Sequence, residues 1–404
     1  MLHIFKTILA IVVICAFGVG TGFFTLTAAV GLSGFWIGTA AVFVVWILGI
    51  ISGQLYVEAF LAVPQAKHFY SLSRSVSSVW GSRSLTFVFL FFSYCLMIFY
   101  ILFIHDVIRL VIEHYQLQPY IEPHHVMFPL IGILGTLIYF GHLPTFVGIA
   151  AAFTILLTVL GIEIVKVHEW TPPVHAPLSY DFYFLMTLGA AFNITFYQSI
   201  LPSLIVFLER NRRQILSTIW IGWSAAMLLY LIWLWITIRP EIYGKFLAAF
   251  ESKSSFRAGF AYLQQLSHFK FIVRALAASA GVISIMSIAI ALMDFLEDAL
   301  SHYFPKNKRL SRLLFTLLIF IPPLLLRQLT QKHMISFTTI TSAFTEFLLA
   351  TVYPLSWVWN IRYRLRLPIR PVLKGGKPVM IGIIFASVLL FLILMTVPIN
   401  QLYW

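Results

Sequence analysis

Apolar stretches of about twenty residues, the length an α-helix needs to cross a hydrocarbon layer roughly 30 Å thick, recur from one end of this chain to the other. Inside such a layer no water meets the backbone N–H and C=O groups, so each stretch must satisfy them by folding as a helix. Only 10% of the 404 residues are Asp, Glu, Lys or Arg, against about a quarter in an ordinary soluble domain. A water-facing surface cannot be built from so few charges. The expectation is an all-α polytopic membrane protein with no soluble domain.

Eleven spans are expected, at approximately residues 8–30, 35–60, 85–112, 126–140, 146–166, 182–208, 215–238, 272–299, 311–326, 334–360 and 379–398. They are called segments 1 to 11 below. Lys6 followed by an apolar run resembles the start of a signal peptide, but the run continues past Phe24 without a small-x-small cleavage pattern, and further spans follow. It reads as the first span. The longest polar connection, about 239–271, carries Tyr243, Phe246, Phe250 and Phe256 at helical spacing and reads as an amphipathic helix lying on the outer surface.

The net charge of +13 would raise the question of nucleic acid in a soluble protein. Here its placement answers otherwise. Of the 27 basic residues, 17 fall in alternate connections: Lys6; Lys67, Arg74 and Arg83; Arg210, Arg212 and Arg213; Lys306, Lys308, Arg309 and Arg312; and Arg362, Arg364, Arg366, Arg370, Lys374 and Lys377. Cytoplasmic loops retain Lys and Arg in this way. The N-terminus is therefore expected inside, the C-terminus outside, and no nucleic-acid partner is expected.

Cys15 and Cys95 lie in apolar segments with no metal-like spacing, and the adjacent His124 and His125 point apart on a helix without a spaced acidic or Cys partner. Neither a metal site nor a cofactor is expected. An enzyme would need acid, base or metal groups converging at one depth, and no such set is visible.

Two spans break the rule of continuous helices. Segment 1 holds Gly18, Gly20 and Gly22 around Val19 and Thr21, each glycine weakening a helix by about 1 kcal/mol relative to Ala. Segment 6 holds Asn193, Thr195, Tyr197, Gln198 and Ser199, followed by Pro202, at a depth where unsatisfied polar groups cost several kcal/mol. The glycines also fit close helix packing, and the polar cluster also fits bonding to neighbouring helices. Yet the first and sixth spans are where five helices repeated with inverted topology would place two broken ones, their free amides and carbonyls aimed at a midplane ligand. That pairing points to a transporter.

The chain resembles the bacterial aromatic amino acid permeases, specific for tyrosine or tryptophan, of the amino acid/polyamine/organocation superfamily. The likeness spans nearly the whole length. It is carried by the glycine-rich break with Gly34-Phe35, by Glu58 with Val63-Pro64, and by Tyr94-x-Leu96-x-x-x-Tyr100-Ile101 with Asp106 where the family has a glutamate. Pro202-Ser203, Asp294, Pro322-Pro323 and Lys374-Gly-Gly-Lys-Pro378 complete it. The resemblance implies a LeuT-type fold: residues 1–167 and 180–361 as inverted five-helix repeats, residues 375–404 as an eleventh helix and C-terminus. It further implies proton-coupled import of an aromatic amino acid across a bacterial inner membrane. Two departures stand out. Thr27 takes the place of the family's proline in segment 1, and Phe196-Tyr197-Gln198-Ser199 replaces Gly-Phe-His-Gly in segment 6, which implies a narrower or differently shaped pocket.

Candidate roles follow. The backbone of Gly18, Gly20, Thr21 and Gly22 suits a substrate carboxylate, because glycines expose N–H groups at no steric cost. Asn193, Thr195 and Gln198 suit an ammonium or hydroxyl group, and Phe23, Phe24, Phe196, Tyr197, Tyr94 and Tyr100 suit an apolar wall. For the coupling ion, Ser284 and Ser287 lie one turn apart in segment 8 and would serve sodium, or else bond their own backbone. Glu346, inside segment 10 where the family is apolar, would serve a proton, or pair with a buried partner. His105 and Asp106 are candidate gate residues with Arg109. The leading expectation is proton symport of an aromatic or other hydrophobic amino acid. The alternatives are a sodium-coupled carrier of a different amino acid and a transport-inactive member serving as a membrane sensor or structural subunit.

Overall fold

Segment 1 is two helices, not one. In a computed structural model that describes residues 2–117, 119–141, 187–188, 191–192, 196–238, 270–300, 307–330 and 344–401, α1 (Leu2–Val19) ends at the glycine cluster and α2 (Gly22–Ser33) starts after a two-residue turn. Gly34 then turns the chain with φ of 85°, a left-handed conformation that costs glycine little, and α3 (Phe35–Ala62) follows. Next come α4 (Phe69–Val76), α5 (Val79–His114), α6 (Pro123–Phe140), a 3₁₀ turn (Phe196–Ile200) and α7 (Leu201–Phe207). The chain continues through α8 (Arg212–Thr237), α9 (Lys270–Leu300), α10 (Lys308–Thr330), a π turn (Leu348–Val352), α11 (Tyr353–Trp359), a second π turn (Asn360–Arg364) and α12 (Gly376–Gln401).

No strand occurs among the described residues, and six helices there are long and apolar enough to cross a membrane: those of segments 2, 3, 4, 7, 8 and 9. Segment 5 and residues 239–269 of the expected surface helix lie outside the described residues, and residues 270 and 271 open α9.

The broken segment 1 packs chiefly on α8, which also packs on α3, while α5 packs on α9, α10 and α6. Between membrane helices there is little hydrophobic driving force, so close approach through small residues carries the packing. In α3 a Cβ on Gly49 would lie 2.3 Å from Trp223 Nε1, and one on Gly53 would lie 2.3 Å from the Tyr197 hydroxyl. These two glycines are the slots that seat the large rings.

Helix interruptions orphan carbonyls, and several of these find a donor outside their own helix. Pro322 has no N–H to offer the Leu318 carbonyl four residues earlier, and the Tyr94 hydroxyl donates to it at 2.9 Å. In the π turn the partner for the Leu349 carbonyl would be residue 354, again a proline, and the Tyr56 hydroxyl donates there at 2.5 Å. At helix ends Arg210 donates to the carbonyls of Phe60 and Ala66 at 2.8 and 2.9 Å. Arg312 likewise donates to those of Ile138 and Gly141.

The end of the bundle that carries these arginines is fastened further. Lys6 pairs with Glu209 at 2.5 Å, Arg212 donates to the carbonyls of Arg370 and Pro371, and the Ser71 amide donates to Asp298 at 2.8 Å. Ser203 donates to Asp294, joining α7 to α9. Asp294 and Asp298 thus tie helices together at this end.

Candidate functional site

An α-helix leaves its last four carbonyls and first four amides without partners inside the helix, so a two-residue break inside a membrane segment exposes both kinds of group at one depth. At the amide side, Thr21 N–H donates to Ser284 Oγ of α9 at 3.0 Å. A Cβ on Gly20 would lie 2.5 Å from that same oxygen, so the glycine is what lets α9 come this close. At the carbonyl side, the Tyr230 hydroxyl of α8 lies 2.9 Å from the Gly18 oxygen and 3.0 Å from that of Val19.

A second tyrosine and an acid complete the cluster. Tyr100 of α5 reaches the side chains of Thr21 and Ser284, and the Glu346 carboxyl acts electrostatically on both Tyr100 and Tyr230. Glu346 sits just before the π turn of segment 10 and is 1% exposed. The break therefore gathers polar groups from segments 1, 3, 7, 8 and 10.

Above the break the wall is aromatic. Phe23 stacks on Trp233 at 5.2 Å and meets the Tyr230 ring edge-on at 4.8 Å, and Phe24 lies 5.6 Å from Phe103 and 6.0 Å from Trp233. Trp233 donates to the Phe23 carbonyl and to Thr27 Oγ1, and the Thr27 hydroxyl itself donates to the Phe23 carbonyl at 2.6 Å. Thr27, which takes the place of the family's proline, stands inside the intact helix α2, and the break lies at Gly20 and Thr21.

Of the other expected site residues, Gln198 is 4% exposed in the 3₁₀ turn, and its side-chain nitrogen has no hydrogen-bond partner among the described residues. Ser287, buried one turn from Ser284, likewise has an unpartnered hydroxyl there. Tyr197 is directed elsewhere: its ring packs 4.8 Å from Trp223 and its hydroxyl donates to the Gly49 carbonyl at 2.7 Å, between α3 and α8. Tyr94 faces α10, where its hydroxyl meets Leu318. Both are removed from the wall to which the sequence assigned them. Asn193, Thr195 and the Phe196 side chain lie outside the described residues. His105 and Asp106 approach each other at 3.8 Å, and Arg109 pairs with Glu113 at 2.7 Å within its own helix.

Sequence reasoning passed over Tyr230, Trp233, Trp223 and Phe103. A signal existed for three of them. Ile219, Trp223, Ala226, Tyr230, Trp233 and Thr237 recur at helical spacing and are all buried.

Comparison with known proteins agrees with this architecture. A model of the tryptophan/tyrosine permease family matches residues 4–395. No curated protein matches the chain. Among solved structures, a mutant of the Eremococcus coleocola manganese transporter superposes with a TM-score of 0.64 at 9% identity, covering 96% of this chain and 85% of that one. The same transporter in complex with an aromatic bis-isothiourea substituted compound gives 0.64 at 11% identity, covering 97% and 86%. At such identity the likeness is one of fold.

Proposed function

We propose, from the premise that the chain belongs to the tryptophan/tyrosine permease family, that it imports an aromatic or other hydrophobic amino acid together with a proton by alternating access. Membership makes the chain a multi-pass membrane transporter and not an enzyme. The observation that carries the finer reading is the meeting of both loose ends of segment 1 with a buried acid, Glu346, and an aromatic wall.

In this proposal the substrate carboxylate approaches the N-terminus of α2 beside Thr21 and Gly22, where the helix dipole favours an anion, and displaces Ser284 Oγ from the Thr21 amide. Its apolar side chain lies along Phe23, Phe24 and Tyr100, and Gln198 supplies a polar contact from segment 6. Proton coupling is favoured over sodium because the carbonyls of Gly18 and Val19 already hold a protein donor, whereas an intramembrane carboxyl is a group that can carry a proton. Segments 1–5 and 6–10 are proposed as the inverted repeats that rock about this site. The basic end, with the N-terminus, is placed at the cytoplasmic face of a bacterial inner membrane and the C-terminus on the outer side.

Uptake of labelled tyrosine, tryptophan and phenylalanine into proteoliposomes, under an imposed pH gradient and then a sodium gradient, tests the proposal. Accumulation of at least one of them under the pH gradient alone is expected. Absence of uptake under both gradients would leave the sensor or structural-subunit alternative standing. Glu346→Gln is expected to abolish accumulation under the pH gradient while leaving exchange without a gradient intact.

A further inference from the structure

No Asp or Glu follows Glu346 in the sequence, while Arg362, Arg364, Arg366, Arg370, Lys374 and Lys377 gather between segment 10 and the first turn of α12. Several cations elsewhere at this end of the bundle are taken up within the fold: Lys6 by Glu209, Arg210 and Arg312 by carbonyls at helix ends. Of the six here, Arg362 alone meets an acid among the described residues, Glu58, and Lys377 lies over the Tyr363 ring at 5.3 Å. Arg364, Arg366, Arg370 and Lys374 are exposed without an acidic partner there. Like charges gathered so closely repel one another, and a loose connection would let them spread. This one is tied down. Arg366 stands at φ 50°, a conformation uncommon for a residue with a side chain, and the amides on either side of it, those of Leu365 and Leu367, donate to the carbonyls of Asn360 and Ile361 at 2.7 and 3.0 Å. Arg212 of α8 holds the carbonyls of Arg370 and Pro371 and adds a cation of its own.

We infer that residues 364–377 form a binding site for the headgroup of an anionic phospholipid. A connection between two membrane segments lies where hydrocarbon gives way to headgroups, and a cluster of cations at that level attracts anionic lipid. The apolar half of a lipid is accommodated by the same element: just beyond Gly375 and Gly376, α12 exposes Val379, Ile381, Ile384 and Phe385. Guanidinium groups meet phosphate oxygens at two points at once. An anionic lipid is favoured over a zwitterionic one, whose own ammonium opposes the cations. Bound there, it offsets their mutual repulsion and braces the connection that Glu58 and Arg212 tie to segments 2 and 7.

The inference needs no substrate and does not rest on the transport reading. The full chain in a neutral detergent is unfolded thermally with added phosphatidylglycerol, with phosphatidylcholine of the same acyl chains, and with inorganic phosphate. Phosphatidylglycerol is expected to raise the melting temperature by several degrees, saturably, and the other two by much less. An equal rise with phosphatidylcholine or with inorganic phosphate overturns the inference. The variant carrying Arg364→Gln, Arg366→Gln, Arg370→Gln and Lys374→Gln is expected to lose most of the rise. A control that changes to Gln the exposed cations Arg74, Arg213, Lys308 and Arg309 at the same end is expected to keep it. Equal loss in the two variants shows a response to net charge alone and overturns the site. Loop cations also guide insertion, so the wild type supplies an independent measurement, native mass spectrometry from micelles equimolar in the two lipids. Preferential retention of phosphatidylglycerol supports the inference, and equal retention overturns it.

Discussion

Glu58 holds Arg362 at two points, Nε to Oε1 at 2.5 Å and Nη2 to Oε2 at 2.7 Å, with the carboxylate side chain fully buried and the guanidinium side chain 7% exposed. Each member of the pair has a further partner as well. The Val372 amide donates to Glu58 Oε2 at 2.7 Å, and Arg362 donates to the Leu373 carbonyl at 2.9 Å. One ion pair thus fastens segment 2, the end of segment 10 and the connection that leads to α12.

Removing one member of such a pair strands the other. A buried ion pair broken from one side costs about 3–5 kcal/mol, whereas replacing both members with apolar groups of similar volume is often close to neutral. Glu58→Leu is therefore expected to destabilise the chain severely, and Glu58→Leu with Arg362→Met far less than the sum of the two single changes. Unfolding in detergent, arranged as a double-mutant cycle, measures this. Additive losses would show that the pair is not coupled.

The close approach of Gly20 to Ser284 separates packing from hydrogen bonding. An alanine at position 20 would bring its Cβ within 2.5 Å of Ser284 Oγ but only within 3.8 Å of its Cβ. Gly20→Ala is expected to disrupt the break and reduce uptake at least tenfold, a loss of about 1.4 kcal/mol or more in transition-state terms. Adding Ser284→Ala removes the clash and the acceptor of the Thr21 amide together. The double variant is expected to regain stability in thermal unfolding but not uptake. Recovery of both would reduce Ser284 to a spacer.

Much of this arrangement was legible in the residues. Glycine's local cost placed the break of segment 1 where α1 ends and α2 begins, because backbone preference acts without knowledge of neighbours. Partners were less legible. In a membrane helix the face toward protein and the face toward lipid are both apolar: on α8, Trp223 and Trp233 are buried while Trp220 and Ile221 are exposed. Tyr94 and Tyr100 were read as one wall, yet six residues at about 3.6 per turn set them roughly 120° apart, and only Tyr100 reaches the break. Tyr197 stands where the family has phenylalanine, and nothing in a linear pattern shows that its added hydroxyl would find the Gly49 carbonyl.

His68, in the connection between α3 and α4, gives the fold a pH dependence of its own. Its imidazole is buried against Phe69, Phe89 and Phe295, and burial pushes its pKa down to about 3 from the ordinary 6.5. The folded state keeps the ring neutral while the unfolded state protonates it. The contribution to stability is therefore whole above pH 6.5 and falls as pH drops toward 3, by about 1.4 kcal/mol per pH unit and hence about 2 kcal/mol by pH 5. His68→Gln is expected to flatten the pH profile of the melting temperature between pH 5 and 7 relative to the wild type. Parallel profiles would assign the acid sensitivity to other groups.

Gln198 presents the opposite balance, a group whose burial weakens the fold. Its side-chain nitrogen is enclosed in the 3₁₀ turn of segment 6 without a hydrogen-bond partner among the described residues, and an unsatisfied buried donor costs about 1–3 kcal/mol. A donor held at that cost is explained if it meets a ligand during the transport cycle. Methionine has similar volume and no donor, so Gln198→Met is expected to raise the melting temperature while lowering amino acid uptake, chiefly through a higher apparent KM. A structural glutamine predicts a different pair of results, with stability falling or uptake unchanged. The two measurements on one variant therefore decide whether segment 6 still contributes a contact to the substrate despite its altered motif.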